Sequence, residues 1–178
     1  MGTEQKKTAI RTIRVTKELD EILAKDADRK RVSLNSLISS ILTKYAEWDR
    51  YAERLRHIYV PTMAFRDLLD LTDEDALAKL AERLGVGLAS ETALFWFKKV
   101  NQETLLRFLS LVCKYGNVGE IEIGAEGLDV IFSIYHMCGK KYSIFLEHYL
   151  DKAIRTHLKR IAQFKITENS VTVRFQNT

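Results

Sequence analysis

The stretch IRTIRVTKELDEILAKDADRKRVSLNSLI, residues 10–38, changes its hydrophobic period once and its helical phase once. From Ile10 to Val15 the residues alternate. Ile13 and Val15 fall on one face of a strand and Thr12 and Arg14 on the other, with Ile10 sharing the second face and Arg11 the first. Thr16 then suits a helix N-cap, and Glu18, Asp20 and Glu21 favour the positive end of the helix dipole. Leu19, Ile22, Leu23 and Ala27 recur at three-to-four spacing as one apolar stripe. The charged run Asp28-Arg-Lys-Arg31 closes that helix. Ser33 is a second N-cap, and Leu34, Leu37, Ile38, Ile41, Leu42 and Tyr45 form a second stripe that can continue through Trp48 and Tyr51 to about Arg56. The expected N-terminal unit, residues 1–56, is therefore a strand followed by two helices.

Such a unit lacks the means to fold alone. One short strand leaves its backbone donors and acceptors unpaired, and chains below about 40 residues rarely bury enough apolar surface. Two copies solve both problems if their strands pair antiparallel and four helices share one core. The paired ribbon would then display Thr12 and Arg14 from each chain. A two-stranded ribbon fits the major groove of DNA, where an arginine can bind guanine through two hydrogen bonds and a threonine can bond either base type or touch a thymine methyl.

The segment from Ile10 to about Tyr45 resembles the ribbon-helix-helix family of Arc- and MetJ-type repressors, most specifically in Val32-Ser-Leu-Asn-Ser-Leu-Ile38 at the entry to the second helix. The resemblance implies an intertwined βαα homodimer bound to double-stranded DNA. It implies base reading by Ile10, Thr12 and Arg14, and a phosphate held at the second helix start by Ser33, Leu34 and Asn35. A helix start offers free amides and partial positive charge for such a contact. Lys6, Lys7, Arg11, Lys30 and Arg31 are the expected further phosphate contacts. The sequence departs from the family pattern where Ile10 replaces a polar base-reading residue and Val32 replaces a turn glycine.

Charge agrees with this placement. Residues 1–60 hold 13 Lys/Arg against 9 Asp/Glu, whereas residues 61–178 hold 15 of each, so the first third carries the entire excess of +4. Hydrophobic residues make up 46% of the 178, enough for a packed core, and a single proline argues against low complexity. No apolar run approaches the ~20 residues of a bilayer span. Met1–Thr8 is polar, without the apolar core of a signal peptide. Cys113 and Cys138 are too few for a disulfide framework. A cytoplasmic protein with no membrane partner is expected.

Residues 57–178 read as an α+β domain for sensing or oligomerisation. His57-Ile-Tyr-Val-Pro61 is a short extended piece. Thr72 with Asp73, Glu74 and Asp75 starts a helix that Gly85 and Gly87 break, Ser90 caps another, and a third spans Gln102–Tyr115. Strands Val118–Ile123 and Leu128–Tyr135, a helix Lys140–Leu158 and strands Phe164–Ile166 and Val171–Phe175 complete three helices followed by ββαββ.

Chemistry is sparse in this part. His136 and Cys138 are weak metal candidates, since a site needs three or four ligands and only Cys113, His148 and His157 could complete one. His148 and His157 are nine residues apart, about half a turn out of phase on one helix. No arrangement marks a catalytic nucleophile, so no enzyme activity, cofactor or resident metal is expected. The expected function is a sequence-specific DNA-binding transcriptional regulator, a repressor, with an unspecified effector. The alternatives are an antitoxin and a metal-responsive regulator.

Overall fold

Thr16 opens the first helix by accepting the amide of Leu19 at 3.3 Å, and helix α1 spans Lys17–Lys30. Glu18 and Asp20 sit in its first turn and Arg29 and Lys30 in its last, placements that favour the helix dipole at both ends. Ser33 caps helix α2 (Leu34–Lys44) by accepting the amide of Ser36 at 3.1 Å. A π-helical turn, Tyr45–Asp49, and a short helix α3, Arg50–Arg54, follow. The computed structural model describes residues 9–176, so Lys6 and Lys7 lie outside the described residues. The chain forms two compact units, Met1–Ala46 and Glu47–Thr178.

The expected N-terminal fold class is overturned. The first strand among the described residues begins at Glu120, so these residues form no N-terminal βαα ribbon-helix-helix fold. The alternation over Ile10–Val15 is a side-chain pattern, whereas a strand also needs a hydrogen-bonded neighbour. Residues 9–15 have none among the described residues and form an irregular, exposed arm.

In the second unit, helix α4 (Thr62–Asp70) begins directly after Pro61. Asp73 caps helix α5, Glu74–Phe97, its carboxylate accepting the amide of Ala76 at 3.1 Å. This helix runs unbroken for 24 residues, which corrects the expected break at Gly85 and Gly87 and removes the need for a cap at Ser90. Gly85 lies where α5 meets the backbone of a later helix, so close packing explains this glycine. Helix α6 (Gln102–Gly116) starts with a reciprocal cap. Asn101 Oδ1 accepts from the Thr104 amide at 2.9 Å while Thr104 Oγ1 accepts from the Asn101 amide at 3.0 Å.

Strands β1 (Glu120–Glu126) and β2 (Asp129–Tyr135) form a hairpin, and Gly127 turns it with φ of 60°. Helix α7 (Lys140–Ala153) ends in a π-helical turn, Ile154–Leu158. Strands β3 (Gln163–Ile166) and β4 (Ser170–Gln176) close an antiparallel sheet of order β1-β2-β4-β3. Val130, Phe132 and Ile134 of β2 pair with Phe175, Val173 and Val171 of β4, and all six are buried beneath the helices. The charged residues of edge strand β1, Glu120, Glu122 and Glu126, discourage further strand addition.

A smaller aromatic core joins Trp48, Ala52, Trp96, Phe108 and Leu111. Glu47 pins it: the Trp96 indole donates to its backbone oxygen at 3.0 Å and the Tyr115 hydroxyl to its carboxylate at 2.8 Å. Residues 47–56, read from sequence as the tail of the N-terminal part, thus contribute Trp48 and Ala52 to the core of the second unit.

Candidate functional site

Between α1 and α2 the chain reverses within three residues. Arg31 adopts the left-handed conformation at φ 54° and ψ 42°. Its amide donates to Asp28 O at 3.0 Å, and that of Val32 to Ala27 O at 3.0 Å. This pair of bonds is a Schellman closure, in which glycine is the usual left-handed residue. An arginine there puts a permanent cation at the negative end of α1. Lys30 and Arg31 are exposed and, among the described residues, form no ion pair, while Arg29 binds Asp26 at 2.9 Å. Directly after the turn, the Ser36 amide is taken by Ser33 Oγ and the Leu37 amide by Ser33 O. The amides of Leu34 and Asn35 come too early in the helix for an intrahelical acceptor.

The expected phosphate contacts Lys30, Arg31, Ser33, Leu34 and Asn35 are thereby gathered in one reversal. Ile10, Arg11, Thr12 and Arg14 sit instead on the arm, which joins α1 at its opposite end, about 21 Å away along 14 helical residues. Arg11 Nη1 donates to the carbonyl of Ile10 at 3.0 Å, and Ile10 is 92% exposed.

The first unit buries only Ala27 and Leu37 among its described residues. Much of the rest of its apolar stripes faces solvent: Leu19 and Ile22 on α1, Ile41 and Leu42 on α2, and Tyr45 after it. Ile22 is 58% exposed and Leu42 61%. Large apolar side chains exposed in such number on two neighbouring helices are a feature of surfaces that meet a partner. Residues 1–46 hold 10 Lys/Arg against 6 Asp/Glu and residues 47–178 hold 18 of each, so the net positive charge resides in the first unit.

In the second unit, His136 and Cys138 are buried. The Cys138 amide donates to His136 Nδ1 at 3.3 Å, which leaves Nε2 protonated, and Nε2 donates to Ser143 Oγ at 2.9 Å. Ser143 Oγ in turn reaches the Glu168 carbonyl at 3.5 Å. A serine nucleophile requires a ring nitrogen that accepts its proton. Here the ring donates and the serine is fully buried, so the pair ties the end of β2 to α7 and the β3–β4 turn. Burial holds the His136 imidazole at about 4, although the Glu168 carboxylate opposes this. With both ring nitrogens engaged, His136 is not presented to a metal, and no group of three or more His, Cys, Asp or Glu able to hold one occurs among the described residues. Burial pushes the Cys113 thiol up to about 11, and Cys138 is raised for the same reason.

Sequence reasoning missed two features. The His136–Ser143 tether joins residues whose hydroxyl and imidazole have no motif spacing. A cavity between α6 and α7 is assembled from residues scattered over five elements and carries no local signal. No protein-family model matches this chain, and no curated protein is similar to it at a significant level. Among the described residues no helix is long and apolar enough to cross a membrane.

Proposed function

We propose that the chain is a double-stranded DNA-binding transcriptional regulator, a cytoplasmic repressor that acts as a homodimer by binding rather than by catalysis. The observation that carries this reading is the first unit, where two helices with exposed apolar faces flank a turn with two exposed cations that form no ion pair among the described residues. A second copy is the natural cover. The exposed stripes on α1 and α2 are self-complementary in chemistry, and a twofold contact buries the same patch on both chains. Dimerisation would bring two cationic turns and two arms onto one assembly, doubling the phosphate contacts available to each duplex. Lys30, Arg31 and the start of α2 then position the protein on the backbone, and Arg14 and Thr12 on the arm meet base edges.

The test combines sedimentation equilibrium of the full chain with binding to a random duplex library at several salt concentrations. A dimer whose affinity falls steeply with salt, and which enriches a repeated or palindromic sequence, is the expected result. A monomer with no duplex affinity at low salt would overturn the reading. Ile22→Glu combined with Leu42→Glu should yield a folded monomer that no longer retains duplex.

A further inference from the structure

A cavity of about 520 Å³ opens within the second unit, of the size that holds small organic ligands. Its floor is apolar: Leu109 and Val112 of α6 and Leu146 of α7, with Phe108 beside them. One wall is an aromatic ladder on α7, in which Tyr142, Phe145 and Tyr149 stack with successive ring centroids 6.0 Å apart. The Cys113 thiol and the Tyr149 phenol in the walls are neutral at ordinary pH, and burial pushes them further from ionising, to about 11 and about 12. No aspartate or glutamate lines it among the described residues.

Charge enters only at the mouth. Arg56 is held there in the left-handed conformation, φ 53°, by two backbone bonds. Its amide donates to Glu53 O at 3.1 Å and that of His57 to Ala52 O at 3.1 Å. The arginine side chain is exposed and has no ion-pair partner among the described residues. Next to it run Ile58 and Tyr59, which line the opening yet are 83% and 78% exposed. They are large apolar groups at an apolar mouth, left open among the described residues.

We infer that this cavity binds a hydrophobic monocarboxylate, its aromatic or aliphatic body against the α6 and α7 walls and its carboxylate on Arg56. One guanidinium matches one carboxylate in a two-bonded geometry. A phosphate dianion would bring a second charge to an apolar mouth with no second permanent cation to meet it, at a high desolvation cost. A purely apolar molecule would leave the guanidinium unused. Ile58 and Tyr59 fold toward the bound body and lose exposure.

This site does not rest on the DNA-binding reading, and its test uses no duplex. The full chain is titrated with 4-phenylbutyrate, octanoate and indole-3-propionate, and with 4-phenylbutanol as the uncharged comparison. Calorimetry is the readout, supported by the fluorescence of Trp48, which borders the cavity. Saturable 1:1 binding is expected, with phenylbutyrate favoured over the alcohol by about tenfold, the worth of one charge-assisted hydrogen bond. Arg56→Gln should erase that preference and leave the affinity for the alcohol unchanged. Val112→Phe, which fills the cavity, should weaken both by about tenfold or more. Arg56→Gln lies on the exposed rim and keeps the test decisive should Val112→Phe unfold. Absence of saturable binding by all three acids overturns the proposal, as does a carboxylate preference that survives Arg56→Gln.

Discussion

A methyl group placed on Gly85 would lie 2.5 Å from the backbone oxygen of Tyr149, so α5 and α7 touch backbone to backbone at this point. Lys152 Cβ and the Ala153 amide stand at 3.1 and 3.3 Å, which closes the other ways out. None of these atoms is the far end of a flexible side chain. Gly85→Ala should therefore destabilise the second unit by about 1–3 kcal/mol through overpacking. Gly87, two residues on in the same helix, has nothing within 4 Å of an added Cβ among the described residues, its own helix backbone and chain neighbours aside. Gly87→Ala should stabilise by about 0.5–1 kcal/mol through helix propensity. Urea unfolding of the two variants checks both signs, and equal effects would refute the packing argument.

These two glycines also show what local reading can and cannot do. By propensity they are alike, and both look like helix breakers. Only the position of α7, sixty residues later, separates a packing contact from a neutral site. The same limit explains Ile10–Val15, whose alternation was plain in the sequence while its lack of a strand partner was not. Elements whose cause is local were legible. Thr16 and Ser33 cap the helices they precede, and the run Val130, Phe132, Ile134 marks β2 through its own alternation. The cluster Thr72–Asp75 marked the start of α5, and of its members Asp73 is the cap. For the candidate site, the cationic turn was visible as a run of charges. The cavity was not, because Val112, Phe145 and Arg56 share no spacing.

Acid should weaken the fold through His136. Burial holds its folded imidazole at about 4 against an ordinary 6.5, so on acidification the unfolded chain takes up the proton first. The stability this group contributes is fully present above pH 6.5 and is lost as the pH falls toward 4, by on the order of 3 kcal/mol. Urea unfolding at pH 7 and pH 5 measures the loss. His136→Gln, which can still donate to Ser143, should flatten this dependence. An unchanged pH profile in that variant would assign the loss to other groups.

Arg31 should show opposite effects on stability and on binding. Its left-handed backbone is strained for an arginine, and glycine relieves the strain. Arg31→Gly should raise the melting temperature of the helical signal, with a net gain of about 0.5–1 kcal/mol once the relieved left-handed strain is set against the lost cation at the end of α1, while weakening duplex binding at low salt. Circular dichroism and fluorescence anisotropy read the two separately. A drop in both would mean that the side chain supports the turn.

Two substitutions distinguish base reading from backbone contact. Arg14→Ala should lower affinity for a selected sequence by about 1–3 kcal/mol and relax preference at one base pair. Lys30→Ala should weaken all duplexes alike and reduce the slope of log affinity against log salt by about 1. Equal losses on selected and random DNA for Arg14→Ala would exclude it from base reading.

The bonds to Glu47 determine where this polypeptide can be cut. A fragment that starts at residue 57 discards the carbonyl that receives the Trp96 indole, the carboxylate that receives the Tyr115 hydroxyl, and Trp48 itself. It would leave an aromatic cluster open to water and prone to clump. Starting a fragment at or before Glu47 keeps all three, and that placement gives the C-terminal piece its best chance of standing alone.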